Sequence, residues 1–338
     1  MKLYSGIDLH SSNSFVGVIN EQDRRLFRRK LPNDLSTILQ ALDPFKESLE
    51  GVVIESTFNW YWLVDGLMEN GYKVHLANPS AIKQYEGLKH TDDNWDSFWL
   101  AHLLRLGILP EGYIYPKETR SVRDFLRRRL IYVKHKTTHI LSLQSLFNRA
   151  LGIRISSRDI YKLKEENVKE IFDDPNLVTI VKHSLGTIHF LKRKVKEIEK
   201  DILGQVKLRK EFILLKTIPG IGDILALTIM LEVGDITRFK KVGNYSSYCR
   251  CVKTNRLSNN KSKGKGNSKN GNKYLSWAFV EAAHFAKRFC PEAEKFYHRK
   301  IAKTKEVVAR KALANKIARA SFYIMRDQVA FDVKKLFA

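Results

Sequence analysis

Short apolar or β-branched runs open the chain, at 2–9 and 13–20, followed by a more charged run at 24–31. The polar stretches between them, HSSN and NEQD, have hairpin composition, so the spacing predicts three antiparallel strands. Leu35, Ile38, Leu39, Leu42 and Phe45 then recur at helical steps over 33–48. The apolar run GVVIES at 51–56 reads as a buried parallel strand. A helix near 59–69, a strand at 72–77 and helices near 79–87 and 93–107 complete the pattern. Three strands, helix, strand, helix, strand is the element order of a ribonuclease H-like domain.

Strand patterns stop at about 118. Leu126, Leu130, Val133, Thr137, Ile140 and Phe147 fall on one helical stripe, and Ile188, Leu191, Val195, Ile198 and Ile202 repeat at alternating steps of four and three. Two long helices broken around 152–178 are expected to fold back as an antiparallel coiled coil. An ordinary core helix pair and a self-association arm fit this stripe equally. From 209 the texture changes again. TIPGIG at 217–222 precedes an apolar helix at 224–233, a Gly, Asn and Lys-rich stretch fills 259–273, and helices resume at 273–289 and 305–326. The expected organisation is α/β plus all-α: an α/β domain at 1–115, a helical connector at 116–208 and a helical domain at 209–338.

Charge sharpens that division. Residues 1–115 carry 11 Lys and Arg against 15 Asp and Glu, a net of −4, whereas 116–338 carry 49 against 21, a net of +28. Polyanion binding is thereby assigned mainly to the second part. Between Asp235 and Glu281 the chain has eleven Lys or Arg and no acid. A basic membrane-surface protein is disfavoured, because no long apolar run or dominant basic amphipathic anchor occurs. MKLYSGIDLH runs directly into a strand pattern without a signal peptide, transmembrane helix or lipidation motif, which predicts a cytoplasmic protein. Cys249, Cys251 and Cys290 lack zinc-knuckle spacing and an even count, so reduced, partly buried thiols are expected.

Four acids are placed where chemistry is expected. Asp8 ends the first strand in GIDLH, and Glu55 ends the first buried parallel strand in VVIES. Functional groups in open α/β sheets collect at such strand ends. Asp93 and Asp96, three apart, share one helix face, and Asp92 falls outside that pairing. Two strand carboxylates facing two helix carboxylates could hold two divalent ions, and hard oxygen donors point to Mg²⁺, with Mn²⁺ as the substitute. Solvated or salt-bridged acids are the plainer reading of the same residues. His10, His75, His90 and His102 show no ligand spacing.

TIPGIG has the look of the hairpin in a helix-hairpin-helix. Gly220 and Gly222 there could expose backbone N–H groups to a phosphate, or merely punctuate a helix start. Ser258 lies in a cationic loop with Arg256, Lys261, Lys263, Lys265, Lys269 and, at its end, Lys273. Those cations could hold a phosphate beside the hydroxyl. On chemistry alone Ser262 and Ser268 are equally plausible.

With these residues in view, the sequence resembles transposases of the insertion-sequence 110 family over nearly its whole length. GIDLH, VVIES and DDNWDSFWLAHLLRLGILPEGYIYP are similar to that family's N-terminal RuvC-like DEDD domain. TIPGIG, RFKKVGNYSSYCRCV, RLSNN and KNGNKYLSWAFVEAA are similar to its C-terminal transposase domain. The resemblance implies a tetrad of Asp8, Glu55, Asp93 and Asp96, and a nucleophilic serine at Ser258. Asn259 stands where the family usually has Gly, and Ser97 where it has Ala. It further implies a recombinase of target and donor DNA that works through a phosphoserine link. A structured bridge RNA would serve as guide, and a dimer or tetramer would build the site. A Holliday-junction-type nuclease without a serine intermediate, and a nucleic-acid-binding protein with structural acids, are the alternatives.

Overall fold

A computed structural model of the chain describes residues 1–82, 93–205, 209–254, 257–259, 261–264 and 270–337, excepting the side chains of 93–95, 205, 257, 258 and 262. It forms two compact units, Met1–Lys117 and Glu118–Ala338.

The first unit is built on β1 (Leu3–Leu9), β2 (Asn13–Asn20), β3 (Arg25–Pro32), β4 (Leu49–Glu55) and β5 (Val74–Ala77), in the sheet order β3-β2-β1-β4-β5. β1 to β3 are antiparallel, and β4 and β5 run parallel to β1. Residues alternate between the two faces. Leu3, Ile7, Leu9, Val16, Val18, Val52 and Ile54 pack on one face with Ile38 and Leu42 of α1 (Leu35–Leu42) and Leu63, Val64 and Leu67 of α2 (Tyr61–Glu69). The other face takes α3 (Asp93–Arg105), through Ile19 with Phe98 and Ala101, and Val53 and Ala77 with Leu100.

Sequence spacing predicts one helix over 33–48. Instead α1, capped by the Asp34 carboxylate on the Thr37 amide at 2.8 Å, passes into a 3-10 turn at Asp43–Ser48. Pro44 has no amide hydrogen for the fourth carbonyl back, so the α-helical ladder stops there. The helix expected near 79–87 is a 3-10 turn at Pro79–Ala81, and its remainder lies outside the described residues.

Among its described residues the second unit is built of helices and one short hairpin. α4 (Lys117–Leu151) is followed by α5 (Ser157–Lys162) and α6 (Pro175–Gln205). Leu143, Leu146 and Phe147 late in α4 meet Val181, Leu185 and Ile188 early in α6. At the other end Leu126 joins Ile198 and Ile202, and Arg129 donates to Glu199 at 2.7 Å, so the two helices run antiparallel. Next come α7 (Lys210–Leu215), α8 (Asp223–Val233) and α9 (Val242–Tyr248), then the hairpin of β6 (Leu257–Ser258) with β7 (Lys261–Ser262). α10 (Lys273–Phe289), α11 (Pro291–Ile301), α12 (Glu306–Asp327) and α13 (Val333–Phe337) complete the unit. α8 is buried from Leu225 to Val233 on every side and forms the centre of this core. The three cysteines are free and buried. Among the described residues no helix is long and apolar enough to cross a membrane.

Candidate functional site

Register brings the first two acids together. Ile7 of β1 is level with Ile54 of β4, so the next residues, Asp8 and Glu55, stand side by side at the carboxyl ends of adjacent parallel strands. Both face the side of the sheet covered by α3. Two glycines set how closely that helix lies. A Cβ on Gly6 would sit 1.9 Å from the Ser97 carbonyl oxygen and 2.9 Å from the Ala101 nitrogen, and one on Gly17 would sit 2.9 Å from the Phe98 ring. With hydrogen in place of a methyl group, the helix rests directly on β1 and β2. Asp96 thereby comes within electrostatic reach of Glu55.

The electrostatics follow from that crowding. Asp8 is buried, at 4% exposure, and its Oδ2 lies 2.8 Å from Nε2 of His10, whose ring packs edge-on to Phe15. Glu55 is pushed up to about 7 by burial first, then by the Asp8 charge, a hydrogen bond with Asp8 and the Asp96 charge. His10 offsets part of this shift. Two neighbouring carboxylates that cannot both ionise cheaply hold a proton between them. A divalent cation relieves the same repulsion, and an all-oxygen donor set suits a hard ion. The residues present therefore fit such an ion in charge and chemistry. Among the described residues, no group of three or more His, Cys, Asp or Glu is gathered closely enough to hold a metal by itself. Asp93 begins α3 one turn before Asp96, but its side chain lies outside the described residues.

His10 was not legible as a partner of this pair, although it sits two residues past Asp8. Strand periodicity of two was the available signal.

The second candidate region is the loop between α9 and α10. Ser258 pairs with Lys261 across the β6–β7 hairpin, and Asn259 takes the turn with φ of 50°, a conformation Asn tolerates better than most residues. The Ser258 side chain, Arg256, Lys265 and Lys269 lie outside the described residues. Lys261 and Lys263 are exposed, as is Lys273 at the first turn of α10.

The stem of this loop is tightly fastened. The Asn272 amide donates to the Tyr248 carbonyl at 2.6 Å, and Arg250 Nε donates to the Gly271 carbonyl at 3.0 Å. Asn272 Oδ1 accepts from the amides of Tyr274 and Leu275, capping α10, while its Nδ2 donates to Glu232 at 2.7 Å. Glu232, 2% exposed, also accepts from Arg123 Nε at 3.1 Å and from Arg127 at 2.6 and 2.8 Å. Arg127 in turn covers the Tyr274 ring at 4.3 Å. One buried carboxylate thus ties α4, α8 and the exit of the serine loop.

The TIPGIG glycines divide in role. Gly220 has φ of +90°, and a Cβ there would meet the Ala282 carbonyl oxygen at 2.5 Å, so this position serves close packing on α10. Gly222 is the N-cap residue of α8 and has open space around it. Beside it Lys216 pairs with Asp223 at 2.6 Å. Of the two glycines, Gly222 is the one with room for a ligand.

Comparison with known proteins gives two family matches, of which the first runs past the first unit to the end of α4. Residues 5–151 match a family model described as a transposase, of the IS110 DEDD type. Residues 213–298 match the transposase family of IS116, IS110 and IS902. The chain is also 25% identical over 242 residues to a Sinorhizobium fredii protein that carries the name transposase y4qE, covering 70% of this chain and 57% of that protein. The chain thus spans less than two thirds of that relative's length. Asp8, Glu55, Asp93 and Asp96 fall within the first match, and Gly220, Gly222, Glu232, Ser258 and Asn272 within the second.

Proposed function

We propose that this chain, which matches two IS110-type transposase models, is a mobile-element recombinase that cuts and rejoins DNA strands. One observation carries the reading: Asp8 and Glu55 abut on adjacent strands with Asp96 near, and Glu55 is raised to about 7 by burial and then by those neighbouring acids. Strongly shifted carboxylates gathered at strand ends are characteristic of functional sites.

Asp8, Glu55, Asp93 and Asp96 would hold Mg²⁺ or Mn²⁺, which supplies neutralising charge at the scissile phosphate and lowers the cost of the charged transition state. The chain's own groups do the rest. His10 fixes the orientation of Asp8 through its 2.8 Å contact. The exposed Lys261, Lys263 and Lys273 draw the DNA backbone to the serine loop. The Ser258 oxygen forms a bond to phosphorus as the bond to the 3′-oxygen breaks. The hydroxyl proton passes, net, to the departing oxygen, which becomes a free 3′-hydroxyl. A phosphoserine link keeps the bond energy for rejoining, as hydrolysis would not. Guidance by a structured bridge RNA, with base pairing choosing both target and donor, completes the proposal. So does assembly as a dimer or tetramer in which different copies supply acids and serine.

The test is direct. The purified protein with its RNA and labelled element-end DNA, in Mg²⁺, is denatured and run on a gel. A covalent protein–DNA adduct is expected, absent in Ser258→Ala and in Asp8→Asn. Cleavage undiminished in Ser258→Ala would replace the recombinase by a nuclease that directs water. Cleavage undiminished in Asp8→Asn would remove both.

A further inference from the structure

Residues 24–31 hold five cations, Arg24, Arg25, Arg28, Arg29 and Lys30, and no acid, whereas the rest of 1–115 has six Lys and Arg against fifteen Asp and Glu. Four of the five lie on β3, an edge strand of the sheet, and are exposed. Charge on an edge strand ordinarily keeps it from pairing with another chain, and either sign serves that end. Here the sign is uniform and the placement specific. Register puts Asp8 of β1, Phe15 of β2 and Lys30 of β3 in one row, and residues opposite one another share a face. Lys30 therefore stands on the same face as the acid pair, its backbone about 10 Å from that of Asp8. Contacts run the whole way. Asp8 Oδ2 lies 2.8 Å from His10 Nε2, the His10 and Phe15 ring centres are 5.6 Å apart, and Lys30 Nζ lies 5.3 Å from the centre of the Phe15 ring. Arg28, level with Gly17, and Arg25, over the Phe98 ring at 4.4 Å, belong to the same face.

A unit with a surplus of acids repels the polyanion on which its carboxylates act. The acid pair serves the phosphate that is cut, and the phosphates beside it need cations elsewhere. Lys30 has the charge, the reach and the direction. Its side chain is exposed, and its ammonium is drawn over the Phe15 ring because an aromatic face attracts a cation. We propose that Lys30 is a phosphate subsite on β3, holding the DNA strand by a backbone phosphate next to the one that is cut. The inference rests on the DNA-processing reading of the acid pair. His10 and Phe15 form the floor between the two positions, so a strand that reaches both must cross them.

The probe is element-end DNA carrying a single methylphosphonate, a linkage without charge, at each position near the cut in turn, added to the full-length protein with its RNA. Binding is read by fluorescence anisotropy in Ca²⁺, and cutting separately by the adduct assay in Mg²⁺. Wild type is expected to lose about tenfold in affinity at one linkage beside the cut. Lys30→Gln should lose the same factor on unmodified DNA and become indifferent to that linkage. Lys30→Arg should behave as wild type, and the thermal midpoint should not move in either. A Lys30→Gln protein that binds unmodified DNA as wild type does, or that still responds to the linkage, would overturn the subsite. So would loss of RNA binding with DNA affinity intact, which would give the strand to RNA. Self-association with DNA affinity intact would leave the lysine a guard of the strand edge and overturn it too. The adduct assay separates the two readings. A wild type that shows the linkage effect yet forms no covalent adduct sinks the recombinase and leaves the subsite standing. A wild type that binds no DNA sinks both.

Discussion

Asn272 and Glu232, 40 residues apart, share a buried hydrogen bond of 2.7 Å that joins the exit of the serine loop to the central helix of the second unit. Glu232 also neutralises Arg123 and Arg127, so its removal takes a counter-charge from two guanidinium groups rather than breaking one contact. Glu232→Gln should therefore cost about 3 kcal/mol in urea unfolding, because an uncompensated buried charge is expensive. Asn272→Ala loses the cap of α10 and should cost about 1 kcal/mol, or somewhat more with the bond to Glu232. Burial pushes Glu232 up, but the Arg127 hydrogen bond, the Arg123 and Arg127 charges and Asn272 outweigh it and hold the carboxyl below its ordinary range. A depressed carboxyl stabilises the fold above its unfolded pKa, and that contribution is lost as pH falls through the folded value. The second unit should thus weaken in acid, and Glu232→Gln should remove this component of the acid dependence.

Glu55 gives the opposite sign. Its folded pKa of about 7 stands above the ordinary 4.5. Between those values the folded protein keeps a proton that the unfolded chain releases. Metal-free stability should then decline from about pH 4.5 to about pH 7. The measurement is the thermal midpoint against pH in chelator, with Glu55→Gln flat over the same window. Mg²⁺ binding must displace the shared proton, so its apparent affinity should rise as pH climbs toward 7. Calorimetry in two buffers of different ionisation enthalpy would count the released proton. Equal heats in both buffers would contradict the shared-proton account.

Gly6→Ala tests the seating of α3. The added methyl group would fall 1.9 Å from the Ser97 carbonyl oxygen, a backbone atom that cannot turn aside. Helix and strand must separate, at a cost of about 3 kcal/mol by the usual scale of overpacking. Asp96 moves away with the helix, so Mg²⁺-induced stabilisation should fall as well. Gly204, with nothing within 4 Å of its Cβ position, is the control. Gly204→Ala should raise stability by about 0.5 kcal/mol in the same unfolding assay.

Much of the first unit was legible because short apolar runs, turn composition and strand-end polarity are local signals. Runs bounded by HSSN and NEQD marked the three opening strands, and the polar residue at the end of each buried strand marked Asp8 and Glu55. What escaped was tertiary. Gly6 and Gly17 matter only because a helix 80 or more residues later lies on them, and no local pattern announces a close approach. Glu232 did leave a mark, a lone charge in the apolar run of α8, but its partners Arg123 and Arg127 stand more than 100 residues away. α11 was missed because its three buried residues, Ala293, Phe296 and Tyr297, are outnumbered by charged neighbours.

The lysines of the serine loop are open to a prediction that needs no cleavage. Each phosphate neutralised by a lysine releases a condensed counterion, so the slope of log affinity against log salt counts such contacts. Lys261 and Lys263 are exposed and lie next to the turn that carries Asn259. If both touch duplex phosphates, Lys261→Ala with Lys263→Ala should flatten the slope by about 2. The Lys2→Ala variant, a lysine whose ammonium pairs with Glu50 at 3.1 Å in the acidic first unit, should leave it unchanged. Fluorescence anisotropy of a labelled duplex from 50 to 300 mM salt, in about six steps, reads both. A slope unmoved by the double substitution would take these two lysines out of the DNA-binding surface.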